Sequence, residues 1–104
     1  ELENGTTGKA YLALLTKHLP RIIELFQPDF AFYLAGVDVL NTDKFGRLEV
    51  SLEECKQRDE FVFKTLKNLH IPVAVALGGG YSPDIKVIVE AHCNTFRWAV
   101  ELFD

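Results

Sequence analysis

The sequence predicts an α/β fold built on a parallel sheet, and three observations carry that reading. Residues 30–34 (Phe-Ala-Phe-Tyr-Leu) and 73–77 (Val-Ala-Val-Ala-Leu) are apolar without alternation, the pattern of strands covered on both faces. Three longer stretches repeat apolar residues at three- and four-residue spacing and alternate with those strands, giving helix, strand, helix, strand, helix. A carboxylate, Asp38, follows the first apolar run, and ligands in open parallel sheets sit beyond the carboxyl ends of the strands. An acid in this place also serves commonly as a turn former or a helix cap, so spacing alone leaves its role open.

The elements follow in order. After a polar stretch from Asn4 to Gly8, the residues Tyr11, Leu12, Leu15, Leu19, Ile22, Ile23 and Phe26 mark one face of an amphipathic helix. Pro20 predicts a kink or restart, and Pro28-Asp29 ends the helix before the first strand. The segment from Asn41 to Arg47 is polar and reads as an exposed loop carrying Asp43 and Gly46. Ser51 and Glu54 form a capping box that opens a second helix, with Phe61, Val62, Leu66 and Leu69 on its buried face. After the second strand, Gly78, Gly79, Gly80 and Tyr81 turn the chain. Ser82 as cap and Pro83 at the first position open a third helix, burying Ile85, Ile88, Val89, His92, Phe96, Ala99 and Phe103.

Composition bounds the function. At 104 residues the chain is one segment, too short for two ordinary domains. A formal net charge of -4 with scattered Lys and Arg argues against a nucleic-acid surface. No apolar run reaches the roughly 18 residues that span a bilayer, and no secretory signal pattern opens the chain. Cys55 and Cys93 lack zinc-finger or CxxC spacing and read as free thiols, which suits a reducing compartment; the cytoplasm is the expected location, with the nucleus open. His18 and His70 read as surface or capping residues near helix ends, and His92 as a hydrogen-bonded core histidine. Two apolar strands by themselves leave unpaired edges and uncovered faces, so the segment is expected to complete its sheet against more of the same domain or another chain.

Tyr33-Leu-Ala-Gly-Val-Asp38, Asp43-Lys-Phe-Gly-Arg-Leu48, Ser51 and Leu77-Gly-Gly-Gly-Tyr81, in this order, resemble the carboxyl-terminal third of the zinc-dependent histone deacetylase family. The bacterial and class IV-like branch is the nearest in pattern, with acetoin-utilisation proteins and acetylpolyamine amidohydrolases as relatives. The resemblance implies the last part, α-β-α-β-α, of a three-layer arginase/deacetylase-like fold with a mostly parallel sheet. It also implies hydrolysis of an N-acetyl amide on lysine or on a small amine. Asp38 matches the third ligand of a catalytic Zn2+, whose remaining ligands are expected upstream. Tyr81 matches the tyrosine whose hydroxyl faces the substrate carbonyl. Gly78, Gly79 and Gly80 let the backbone approach the acyl group, and Phe45 sits where the family places an apolar residue along the acyl-lysine tunnel. Asp43 is expected to organise its loop and not to take part in the chemistry.

Two departures stand out: Leu77 occupies the first of the family's four glycine positions, and Leu34 stands where a polar residue is frequent. The chain also contains neither Asp-x-His nor His-His, so the fragment alone is expected to be inactive. The alternative is a non-catalytic relative, or a segment that serves as a structural or association module. A P-loop is a weaker reading of the glycines, because its Lys and Ser/Thr are missing.

Overall fold

The computed structural model describes residues 2–43 and 46–103. Among these, the order is α1 (Gly8–Phe26), β1 (Ala31–Gly36), α2 (Leu52–Asn68), β2 (Val73–Gly78) and α3 (Ile85–Phe103). β1 and β2 pair in parallel with Ala31 opposite Val73 and Gly36 opposite Gly78. The predicted α/β order and parallel pairing are therefore observed.

Local chemistry explains most boundaries. Thr7 caps α1 by accepting the Ala10 N–H, and Gln27 closes it in a left-handed conformation with its N–H on the Ile23 carbonyl. Pro20 lies inside α1, which continues unbroken instead of restarting. The ring removes one N–H, the one that would meet Thr16, and that turn is exposed to water. The capping box of α2 is present in full: Glu54 N–H donates to Ser51 Oγ at 3.1 Å, and Ser51 N–H donates to Glu54 Oε1 at 3.0 Å. α3 starts later than the sequence predicts. Lys86 N–H donates to Asp84 Oδ1 at 2.9 Å, the bond of a capping side chain, while Ser82 is engaged elsewhere.

Between β1 and α2, residues 47–50 are tied down more closely than an exposed loop. Residues 47–50 run between the amino-terminal segment and the residues after β1, with Glu49 bridged to Thr7 and Val50 to Leu40. Backbone bonds from Gly8 N–H to Glu49 O and from Asn41 N–H to Val50 O hold them there. Asp43, expected to be exposed, is buried.

The core is one-sided. Ile23, Val62, Leu66 and Ile71 pack with Ala31, Tyr33 and Val73, and a second cluster joins Val37, Leu40, Val50, Cys55 and Ala91. Phe63 meets Tyr33 edge-on at 5.5 Å between ring centroids and Phe103 at 5.9 Å. The first cluster and the Phe63 ring reach β1 through its odd-numbered residues Ala31 and Tyr33, which face one way in a strand. The opposite face is bare: Phe32 is 81% and Leu34 77% exposed, opposite Ala74 and Ala76 of β2. Within this chain the strands are covered on one face only, because its three helices share one side of the sheet, and the bare face is the uncovered surface expected of two such strands by themselves.

The predicted helix faces need similar correction. On α1 only Ile23 of the apolar stripe is buried, and Ile22 and Phe26 are exposed. On α2 Leu69 is exposed and Phe61 half-buried, while Phe63, Arg58 and Asp59 are buried. On α3 the buried residues are Ala91, Asn94 and Thr95; Ile85, Val89, Phe96 and Phe103 are exposed. These helices are apolar on more than one side, as helices packed on both sides are.

The exposed apolar surface generates a prediction. Phe32 and Leu34 each forgo about 1.5–3 kcal/mol of burial, so the isolated 104-residue chain is expected to self-associate and to bind a hydrophobic dye. Sedimentation over a concentration series with dye fluorescence checks this; a monomer with a sharp, concentration-independent melt contradicts it.

Candidate functional site

At the carboxyl ends of β1 and β2 the structure opens a cleft of about 430 Å³, lined among others by Tyr11, Asp38, Arg58, Leu77, Gly78 and Gly79. The sequence placed a ligand-facing acid at this end of the sheet, and the structure brings Asp38 to the same cleft as two of the three glycines. Around Asp38 and the turn after β2 the chain is packed closely enough that glycine is required in several places. A Cβ on Gly79 would stand 3.1 Å from Asp38 Cβ, and one on Gly46 would stand 2.0 Å from the Asp38 carbonyl oxygen. Gly79 and Gly80 have φ of 69° and 109°, and a Cβ on Gly80 would meet Ile88 Cγ2 at 2.7 Å. Gly78 differs, since a Cβ there meets no atom within 4 Å.

One buried carboxylate fastens these two segments together. Asp43 Oδ1 accepts the Gly46 N–H at 2.9 Å, and its Oδ2 accepts the Tyr81 N–H at 2.8 Å. Thr42 and Ser82 add a hydroxyl pair at 2.7 Å across the same junction. The loop carrying Asp38 and the turn carrying Tyr81 are thereby held as a unit. The Tyr81 side chain is 57% exposed and stands outside the lining of the cleft. Phe45 lies outside the described residues.

Beneath the cleft lies a polar cluster that sequence reasoning missed. Asp59 is fully buried, and its Oδ1 accepts from Tyr33 Oη at 2.5 Å, Arg58 Nη2 at 2.9 Å and Arg58 Nε at 3.1 Å. Its Oδ2 accepts from Thr95 Oγ1 at 2.5 Å. Arg58 Nη1 donates to the Gly36 carbonyl at 2.6 Å, and the guanidinium carbon lies 5.7 Å from the centre of the Tyr33 ring. Burial pushes the Tyr33 phenol far above its ordinary range, opposed by Arg58 and reinforced by Asp59, so the phenol stays a donor. Burial works against the charge of Arg58, but the Asp59 carboxylate beside it opposes that cost and the guanidinium stays protonated. Burial also raises the Cys55 thiol, which makes it an inert core group. The signal in the sequence was Arg58-Asp59 standing between Cys55 and Val62, a charged pair on the apolar stripe of a helix.

Metal chemistry tests the donor set. Asp38 offers one oxygen ligand to the cleft, of a type zinc accepts. Among the described residues no group of three His, Cys, Asp or Glu side chains converges on a metal position. The described residues therefore fit one ligand of a zinc site and not a whole one. The histidines add none: His18 is exposed in the middle of α1, His70 is exposed with φ of 56°, and His92 is half-buried on α3. His92 Nδ1 has no hydrogen-bond partner among the described residues, contrary to the expected bonded core histidine. Cys55 and Cys93 are free thiols, as expected, and no described helix is long and apolar enough to cross a membrane.

Comparison with known proteins agrees with this geometry. A family model described as the histone deacetylase domain matches residues 1–96. Histone deacetylase 2 of Arabidopsis thaliana is 37% identical over 93% of this chain and 25% of its own length. An uncharacterized protein of Picosynechococcus sp. is 32% identical over 98% of this chain and 34% of its own. Histone deacetylase 1 of Homo sapiens is 29% identical over 97% of this chain and 19% of its own. The chain thus spans about a third or less of these relatives. Among solved structures, the crystal structure of the HDA15 HD domain superposes with a TM-score of 0.71 at 23% identity, over 98% of this chain and 28% of that one. That likeness shows a shared fold.

The glycine turn yields a prediction. In the full-length protein, Gly80→Ala is expected to lower unfolding free energy by about 1–3 kcal/mol through its strained φ and the Ile88 contact. Gly78→Ala, whose Cβ enters open space, should leave stability nearly unchanged. Denaturant midpoints compare the two; equal losses would mean that backbone strain is not what selects glycine at position 80.

Proposed function

The chain belongs to the histone deacetylase family, and from this premise we propose that residues 1–104 are the carboxyl-terminal segment of a zinc-dependent amidohydrolase domain. The reaction is removal of an acetyl group from acetyl-lysine or from a small acetylated amine. The observation that carries the reading is the shared cleft at the carboxyl ends of the parallel strands, where Asp38 stands against the glycine turn that leads to Tyr81.

Within that reading the residues divide the work. Asp38 supplies one carboxylate ligand of a three-ligand zinc site, and residues outside this segment supply the others. Zinc, when bound, polarises the acetyl carbonyl and lowers the pKa of water. The Tyr81 phenol donates a hydrogen bond to the carbonyl oxygen, a bond that strengthens as negative charge builds there. Asp43 fixes the backbone from which that phenol projects, through its bond to the Tyr81 N–H. Gly78 and Gly79 keep the cleft wall free of side chains beside the acyl group. Phe45 would contribute an apolar contact to the acyl-lysine chain. The segment alone, with one ligand and no proton-transferring histidine in the cleft, is inactive. Two free thiols support a reducing compartment such as the cytoplasm.

A second reading, a non-catalytic relative serving as an association module, draws support from the bare sheet face with Phe32 and Leu34. Metal content separates the two. In the full-length protein, Asp38→Ala is expected to lose zinc and activity together. Tyr81→Phe should keep its zinc and lose about 100- to 1,000-fold in kcat on an acetyl-lysine peptide. A wild-type protein without metal, matched by both variants, overturns the amidohydrolase reading and leaves the association module.

A further inference from the structure

Apart from Asp38, Arg58 is the only charged residue among the described residues that line the cleft, and it is 4% exposed. A buried cation needs a partner, and Asp59 supplies it through the bonds from Nε and Nη2. An ion pair would be complete at that point. The third bond, from Nη1 to the Gly36 carbonyl, does something the pairing does not require. Gly36 ends β1 two residues before Asp38, and the next N–H, that of Val37, bonds the Gly78 carbonyl at 3.1 Å. The strand end is thus held by β2 on one side and by Arg58 of α2 on another.

The position of Gly36 bears directly on the carboxylate. A Cβ on Gly36 would lie 2.9 Å from Asp38 Oδ1, so the Asp38 side chain folds back over that residue. Whatever moves the Gly36 peptide moves the surface on which the carboxylate rests. Arginine suits this task because its planar fork grips Asp59 with two nitrogens and leaves a third at a fixed angle for the carbonyl. Asp59 is in turn held by Tyr33 and Thr95, so the fork has little freedom.

We propose that Arg58 is a positioning residue for Asp38: its guanidinium, locked by Asp59, fixes the Gly36 carbonyl and with it the carboxylate at the mouth of the cleft. The inference rests on the reading of Asp38 as a metal ligand and extends it to a residue that touches neither metal nor substrate. Outer partners of metal ligands typically account for about 10- to 100-fold in metal affinity or activity.

The test compares Arg58→Lys, which keeps the charge and loses the fork, with Val62→Ala, a cavity variant on the same helix away from the cleft. Both are made in the full-length protein. Arg58→Lys is expected to speed amide exchange at residues 37–40 in the metal-free protein. It should also weaken zinc binding, measured by chelator competition, by about 10- to 100-fold, with kcat/KM falling alongside. Val62→Ala should lower the melting temperature while leaving local exchange and zinc affinity unchanged. Thr95→Val, which keeps the ion pair and the shape and removes one hydroxyl that holds Asp59, should shift exchange and affinity in the same direction by less, and it serves if the lysine variant does not fold. Wild-type zinc affinity and exchange in the Arg58 and Thr95 variants, or an equal loss in Val62→Ala, overturns the proposal. A wild-type protein that binds no zinc overturns the metal reading instead. Exchange at residues 37–40, read without metal, still decides whether Arg58 fixes the turn.

Discussion

The fold turns on a single fully buried carboxylate. Asp59 receives donors from β1, from its own helix and from α3, and no other side chain described here joins three elements in this way. A charge in the core would be costly if any donor were lost. Removing one partner of a buried pair costs about 3–5 kcal/mol, a large share of the stability of an ordinary domain. The cluster therefore favours one arrangement of strand and helices over its neighbours. Hydrophobic packing around it, through Phe63 and Val62, adds burial but little orientation.

The same economy recurs at the edge of the cleft. Asp43 joins two segments separated by nearly forty residues using two backbone amides, while Gly79 and Gly80 leave out side chains that would press on Asp38 and Val37 across the same junction. Precision at such a site comes from its supports, because a ligand or donor displaced by about an ångström loses much of its effect. Arg58 below and Asp43 beside the cleft are supports of this kind.

Much of the fold was legible because it rests on local chemistry. The capping box at Ser51 and Glu54, the two apolar strands and the acid after the first of them are written in adjacent residues. The start of α3 departs from the local pattern because the Ser82 hydroxyl is drawn to Thr42, a contact between residues forty apart that no local rule contains. The burial of Arg58 and Asp59 was missed because charge ordinarily marks solvent, and only their place on an apolar stripe hinted otherwise. Phe32 and Leu34 sit in an apolar run of the kind that is usually buried, but here the covering helices all lie on the other side. At the site, Asp38 and the glycines were visible from chain order and family resemblance. The reason glycine is needed at 80, a left-handed backbone pressed on Ile88, is a tertiary fact.

The bare face of the sheet has a relief. Phe32 and Leu34 stand side by side with Ala74 and Ala76, so β1 forms a ridge and β2 a trough along the same surface. A partner element laid across it fits in one lateral placement, with small residues over the ridge and bulky ones over the trough. A sideways slip by one strand would set large against large and leave a void beside it, costly in both respects. Steric shape alone thus gives this surface a lateral register, which a uniformly oily patch of the same area would lack.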